Sequence, residues 1–365
     1  MQEDRQEHFI KNIEIKKFKC FEDFKAEGFG RVNLIGGKNN VGKTAFMEAC
    51  FLSQSKNTPT LYSKLLEIDT HRNIINSLLE NTNREKALQE LIMKNINLSI
   101  YIEDTTLRPI YLTNHEGEDI HVTDDELPCG LVEIKKHSTR GTIDIYTKFS
   151  LCDFYQDWDY SPTSYSYSKL IDILNINLKK INYQFSINFI SPYSNSNEEL
   201  ENIIGQSKLD NKYDKLNEYL LEVFNISNID IIKNKPMLKS SGEYKELSYF
   251  GEGIKNFINI ISSILLLKDD IIFIDEIENG IHYTNLDKLW EIILTISKQQ
   301  NVQVFATTHS KECIESYARV AKRLEDEEIT FIELGLNNEN QIESIIYSYE
   351  WLIDEVSQNH EVRGW

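Results

Sequence analysis

The hydrophobic pattern of this chain changes period several times, and each change predicts a different element. Residues 9–18 alternate apolar with polar positions (Ile13, Glu14, Ile15, Lys16), which predicts a half-buried edge strand. A short apolar run at residues 32–35 predicts a second strand in the same domain, and residues 45–52 read as a helix. Residues 61–97 place Leu65, Ile68, Ile74, Ile75, Leu78, Leu79, Leu88, Leu91 and Ile92 at mixed spacings of three and four, predicting two or three amphipathic helices. Residues 96–102, 110–112, 131–135 and 142–151 alternate and are separated by Asn-, Gly-, Asp- and Pro-bearing turns, as in an antiparallel meander. The Tyr- and Ser-rich residues 161–168 read as a loop tip, and residues 183–190 return to strand character. In residues 198–224, Leu200, Ile203, Ile204, Leu216, Leu220 and Val223 share one helical face. Sustained heptads are missing, which excludes long coiled-coil arms. Residues 254–267 predict an apolar helix, and residues 271–274 and 302–306 are continuous apolar runs of the kind that form buried parallel strands.

The 365 residues leave room for about two to three average domains, or for one large α/β unit carrying an insertion, and a hydrophobic content of 41% supports a sizeable core. Asp+Glu 58 against Lys+Arg 39 gives a net charge of -19, which disfavours attraction to nucleic acid over the whole surface. Lys11, Lys16, Lys17, Lys19 and Lys25 form a local basic stretch that reads as a solvated strand face. Five scattered cysteines without C-x-x-C spacing point to a reducing, cytoplasmic setting and no zinc site. No signal-peptide core or membrane span is expected, because the most apolar segment, residues 257–267, is short and interrupted by Asn259 and two serines.

The candidate chemistry begins at residues 37–44, which read G-x-x-x-x-G-K-T between a strand and a helix. Gly37 and Gly42 let the backbone turn tightly, so that the N–H groups of Asn39, Asn40, Val41, Gly42, Lys43, Thr44 and Ala45 can face phosphate oxygens at a helix N-terminus. Lys43 would reach the outer phosphates and Thr44 would ligate Mg²⁺. Residues 271–276 form an apolar strand ending in Asp275 and Glu276, and carboxyl ends of such strands are where α/β sheets hold ligands. Asp275 suits the Mg²⁺ shell, and Glu276 suits a general base that deprotonates the attacking water. A further strand ends at His309, whose imidazole can sense a terminal phosphate or the water beside it. Ser248, Gly251, Glu252 and Gly253 precede the apolar helix at residue 254 and offer donors to an anion. Asn211, Lys212 and Asp214 fit N-K-x-D, but their position before the Asp275–Glu276 strand disagrees with a guanine-reading motif, so ATP is the expected nucleotide.

These four elements, in this order, resemble the ABC-type ATPases of the SMC, RecF and OLD group, most closely the compact AAA15-type ATP/GTP phosphatases. The likeness rests on residues 9–55 and 240–365, on D-E-x-E-x-G-x-H at residues 275–282 and on Glu361-Val362-Arg363. It implies an α/β P-loop NTPase fold, with a mixed sheet flanked by helices, an antiparallel β meander and a helical insertion. The core would comprise residues 1–60 and 240–365, and residues 61–239 would be an insertion of helices, meander and helical lid. By the same likeness Ser248, Gly251 and Gly253 correspond to the signature loop, which completes the nucleotide site of an opposing protomer in a homodimer or higher oligomer. The residues depart from the usual L-S-G-G-Q, with Tyr249 and Phe250 intervening, and Gln54 is only a position where a Q-loop glutamine could fall. The likeness leaves no room for a Toprim domain and implies an effector on a separate chain, Toprim-like or another toxin, as in the PARIS and retron-associated anti-phage systems. A RecF-like DNA repair ATPase and an ATP-dependent protein scaffold stand as alternatives.

Overall fold

A computed structural model describes residues 8–54, 64, 187–192, 197–233 and 235–358, together with short strand segments between residues 99 and 136. The helices expected at residues 61–97, the loop tip at 161–168, the strand at 142–151 and the C-terminal Glu361-Val362-Arg363 lie outside these residues. The chain packs as two compact units. The first comprises Met1–Asn12, Ala26–Met47 and Ile187–Trp365, and the second Ile13–Lys25 and Glu48–Ser186.

The first unit is built on a six-stranded sheet of order β16-β15-β3-β14-β13-β9. Strands β3 (Val32–Gly37), β9 (Phe189–Ile190), β13 (Ile271–Ile274), β14 (Gln303–Thr307) and β15 (Ile329–Leu336) run parallel, and β16 (Ile342–Ser348) is antiparallel to β15. The sheet is therefore mixed, with a parallel centre. Parallel strands are covered on both faces, which explains why β3, β13 and β14 are buried at every position. On one face Phe189, Phe273 and Phe305 stack in register across β9, β13 and β14, with centroids 6.4 and 5.6 Å apart. The alternate positions Ile272, Ile274, Val304 and Ala306 enter the main hydrophobic core.

That core is closed by three helices whose apolar positions meet it: α4 (Glu252–Leu266), α5 (Leu286–Gln300) and α6 (Lys311–Leu324). Helix α4 is buried from Asn256 through Leu265, polar Asn256, Asn259, Ser262 and Ser263 included. Trp290 and Tyr317 pack ring to ring between α5 and α6, 4.6 Å apart, and Tyr317 donates from its buried hydroxyl to the carbonyl of Val32 at 2.8 Å. Helix α7 (Tyr349–Ser357) follows β16.

Helices α2 (Asn197–Leu209) and α3 (Tyr213–Phe224) contribute Leu200, Ile204, Leu216 and Leu220 to the same core, each fully buried. They and the three-stranded sheet of β10 (Asn228–Ile231), β11 (Pro236–Ser240) and β12 (Glu243–Glu246) lie in this unit, which resumes at Ile187. The apolar face of each helix alone does not say which core receives it. Asn211 occupies the turn between α2 and α3 with φ 56°, which accounts for the N-K-x-D residues as a helix connection.

In the second unit, β1 (Asn12–Phe18) and β2 (Phe21–Glu27) join a five-stranded sheet of order β2-β1-β4-β5-β8 with β4 (Ser99–Ile102), β5 (Thr105–Leu107) and β8 (Ile134–Lys136). β1 pairs antiparallel with β4, Ile15 opposite Ile100, so it is an inner strand here and not an edge beside β3. β4, β5 and β8 continue antiparallel, and β6 (Tyr111–Leu112) pairs with β7 (Gly130–Leu131); β4 and β6 fall on the expected runs at 96–102 and 110–112, the run at 131–135 is divided between β7 and β8, and β5 lies outside them.

Candidate active site

β3 ends in Gly36-Gly37 and the chain turns through residues 38–42 into α1 (Lys43–Ser53). Gly37 has φ 141°, and a Cβ there would sit 2.4 Å from the carbonyl oxygen of Leu334 and 2.9 Å from Val41 Cγ2. Only glycine fits this approach of loop to sheet. Asn40 (φ 65°) and Gly42 (φ 92°) also lie in left-handed conformations, while Val41 is buried and Asn39 and Asn40 are exposed. The result is a concave run of backbone amides capped by a helix N-terminus, a surface suited to anions. Thr44 and Ala45 follow in the first turn of α1.

Lys43 is buried to 4% exposure and donates from Nζ to the carbonyl oxygens of Gly37 at 2.7 Å and Lys38 at 2.8 Å. Its pKa is lowered to about 8, chiefly by burial, while Asp275, Glu278 and Glu276 pull in the opposite direction. The ammonium is thus held at the mouth of the loop by carbonyls and by the charge of three carboxylates.

Thr44 Oγ1 donates to Asp275 Oδ1 and Oδ2 at 3.3 and 3.2 Å, joining the first turn of α1 to the end of β13. Thr307, at the end of β14 and 1% exposed, donates from Oγ1 to Asp275 Oδ1 at 2.5 Å and accepts the backbone N–H of Glu276 at 2.8 Å. The backbone N–H of Ile277 donates to the Thr307 carbonyl at 3.0 Å, and that of Thr308 to the Ile35 carbonyl at 2.9 Å. β14 lies between β3 and β13, so these bonds tie the carboxylate strand to the loop-bearing strand through it. One carboxylate and one hydroxyl facing each other leave most of an octahedral shell to phosphate and water, which is how Mg²⁺ is bound at triphosphates. Asp275 and Thr44 fit that ion. Among the described residues no group of three or more His, Cys, Asp or Glu could hold a metal.

Glu276 has φ 51°, a strained conformation for a side chain larger than glycine's. The Thr307 bond holds it there. The Glu276 carboxyl is raised above the usual range, first by burial and then by repulsion from Asp275, with His309 and Lys43 acting against the rise and Glu278 adding to it. A carboxylate raised in this way is a stronger base. His309 is exposed, and its backbone N–H donates to Glu278 Oε1 at 2.8 Å.

The expected signature-loop residues sit apart from this hydrogen-bonded set. Ser248 lies exposed in a short 3-10 helix, Leu247–Tyr249, beside Tyr249, which is 80% exposed. Gly251 is the N-cap of α4 with φ 86°, and Glu252 is exposed and pairs with Lys255 at 2.6 Å. A Cβ on Gly253 would lie 1.9 Å from the carbonyl oxygen of Gly280, so the first turn of α4 rests directly on the backbone that follows Glu276. Asn256, buried in the next turn, reinforces this by donating to the Asn279 carbonyl at 3.1 Å. Gln54, the Q-loop position, lies in the turn after α1 with its amide donating to Ser53 Oγ at 3.3 Å. Thr307 and Asn256 were not singled out from the sequence, and Glu278 entered only as part of D-E-x-E-x-G-x-H, without a role. The signal for Thr307 is a hydroxyl residue terminating an apolar run two positions before His309; Asn256 is distinguishable only in three dimensions.

A phosphate-binding loop after the central parallel strand, with a carboxylate pair at the end of β13 and a histidine at the end of β14, defines a P-loop nucleotide-binding domain. Residues 167–314 match the family described as "AAA ATPase domain", a stretch that includes residues 248–253, Asp275, Glu276 and His309. The chain is also similar to a protein of Helicobacter pylori described as "ATP/GTP phosphatase", at 24% identity over 330 residues that span 86% of this chain and 88% of that one. Among solved structures it is similar to an SMC head bound to the C-terminal winged-helix domain of ScpA, at 12% identity and a TM-score of 0.46 over 93% of this chain and 98% of that one. The SMC head domain from Thermotoga maritima shares 12% identity at a TM-score of 0.42 over the same shares. No helix among the described residues is long and apolar enough to cross a membrane.

Proposed function

We propose that this chain hydrolyses ATP with Mg²⁺ and that a second copy completes its site, so that ATP switches it between separate and joined states. The observation that carries the reading is the array in which Thr307 joins Asp275 to the backbone of Glu276 while Thr44 faces Asp275 and Lys43 closes the loop. The loop amides and Lys43 bind and orient the triphosphate. Thr44 and Asp275 would hold Mg²⁺, which would supply neutralisation and polarisation of the outer phosphates. Glu276, held in place by Thr307, takes the proton of the attacking water, and His309 meets the terminal phosphate.

Ser248 and Gly251, just before α4, are exposed, and half-buried Gly253 follows in its first turn, so this segment can offer donors to an anion. A dimer that seats them over the partner's triphosphate gives them an anion to bind. ATP then stabilises the dimer by its own binding free energy, and hydrolysis removes the charge that joined the halves. The similarity to an ATP/GTP phosphatase supports nucleotide hydrolysis. The resemblance of the residues to compact AAA15-type ATPases supports a role as the ATPase component of a bacterial anti-phage system with its effector on another chain.

Glu276→Gln tests the reading, because the amide keeps the shape of the site and cannot accept the proton. Turnover should fall by roughly 10²- to 10⁴-fold with ATP affinity retained. Size-exclusion chromatography with light scattering should then show an ATP-dependent dimer of the variant. Full turnover in the variant, or a monomer at saturating ATP, would overturn the proposal.

A further inference from the structure

We propose that Glu278 is a positioning residue that latches the His309 segment to the Asp275–Glu276 segment, an inference that rests on the hydrolytic reading above. The geometry is a side chain of one strand's exit bonded to the backbone of the next. Glu278 Oε1 accepts the His309 N–H at 2.8 Å, and Oε2 is buried with no hydrogen-bond partner among the described residues. A buried carboxylate oxygen without a donor is costly and persists where the rest of the fold holds it.

The surroundings show what holds it. On one side Ile277 N–H bonds the Thr307 carbonyl, and on the other Asn256 donates to the Asn279 carbonyl while Gly280 rests against Gly253. Glu278 is therefore fixed from both flanks, and its side chain is the element that reaches His309. The bond is made to the backbone, so the latch sets where the imidazole starts from and leaves the ring free to turn. Ser310, the next residue, caps α6 by accepting the Cys313 N–H at 3.1 Å. Between the Glu278 bond and this cap the two-residue link His309-Ser310 has both ends tied. Without the latch, the helix that follows keeps its cap, but His309 loses its registry with Glu276.

Three substitutions separate the acceptor from the charge. Glu278→Gln keeps an oxygen at the same reach and should retain kcat within about threefold. Glu278→Ala removes the acceptor, and Glu278→Asp keeps the charge but draws the oxygen back by a methylene. Both should lower kcat for ATP about tenfold or more, with KM and the affinity for a fluorescent ATP analogue unchanged. If the alanine variant does not fold, as judged by thermal unfolding and analogue binding, the comparison of aspartate with glutamine still decides. Full kcat in the aspartate variant, or loss in the glutamine variant equal to that in alanine, would overturn the latch. Glu276→Gln measured alongside keeps the two levels apart. If it turns over normally the hydrolytic reading fails, whereas if it is inactive while Glu278→Asp is fully active, only the latch fails.

Discussion

Thr307 shows how much of this site depends on one hydroxyl. It serves as donor to Asp275 and acceptor to the Glu276 N–H, and it is buried. Thr307→Val preserves shape and strips both bonds, so the domain should lose about 1–3 kcal/mol of stability, read by urea denaturation. Its kcat should fall at least tenfold because Glu276 is no longer held at φ 51°. Lys43 makes a different prediction. Its pKa of about 8 is set by burial, and triphosphate oxygens beside it would favour the charged form. Binding ATP should therefore take up a proton when the pH lies above about 8, and none well below it, where Lys43 is already charged. Calorimetry in buffers of different ionisation enthalpy measures that uptake, and its absence at pH 8.5 would contradict the assignment of Lys43 to the phosphates. Lys43 was legible in the sequence because G-x-x-x-x-G-K-T fixes neighbours by covalent spacing. Thr307 was not, because its partners are 31 and 32 residues away.

At the scale of elements, the parallel strands β3, β13 and β14 were legible from uninterrupted apolar runs, since a strand covered on both faces has no polar side to show. Helix α4 was legible from its high apolar content, although Asn259 and two serines interrupt it. Its N-terminus is where packing is tightest. Gly253→Ala would drive a Cβ into the Gly280 backbone, where neither side can yield, and should push the first turn of α4 away from the segment after Glu276. A stability loss of about 1–3 kcal/mol is expected from the overpacking. If residues 251–253 serve a partner's site, ATP-dependent dimerisation should weaken as well, which light scattering would detect. β1 was misjudged as an edge strand because alternation reports one buried face and says nothing of which strand lies alongside. The register of Ile15 with Ile100 answers that from 85 residues away.

For the whole molecule, the two buried or charged features with the widest reach are Arg31 and the net charge. Arg31, 3% exposed, pairs with Asp326, donates to Ser297 Oγ and donates to the Leu294 carbonyl at 3.2 Å. It binds the start of β3 to α5 and to the turn before β15. Arg31→Met leaves Asp326 as an uncompensated buried carboxylate and should cost about 3–5 kcal/mol, seen as a lower Tm. The charge of -19 bears on partners, and duplex DNA should leave turnover unchanged at physiological salt. Stimulation that falls steeply with salt would instead favour a DNA-repair ATPase. The glycine-rich loop after β3, the Asp275–Glu276 strand and the strand before His309 were legible in the sequence alone, because short spacings and hydrophobic period dictate them locally. Tertiary structure decided that α2 and α3 belong to the nucleotide unit, that β1 does not join its sheet, and that Thr307 and Glu278 bind the site together. Those outcomes depend on which distant surfaces bury one another and which buried donor finds which acceptor, and neither is written in the spacing of residues along the chain.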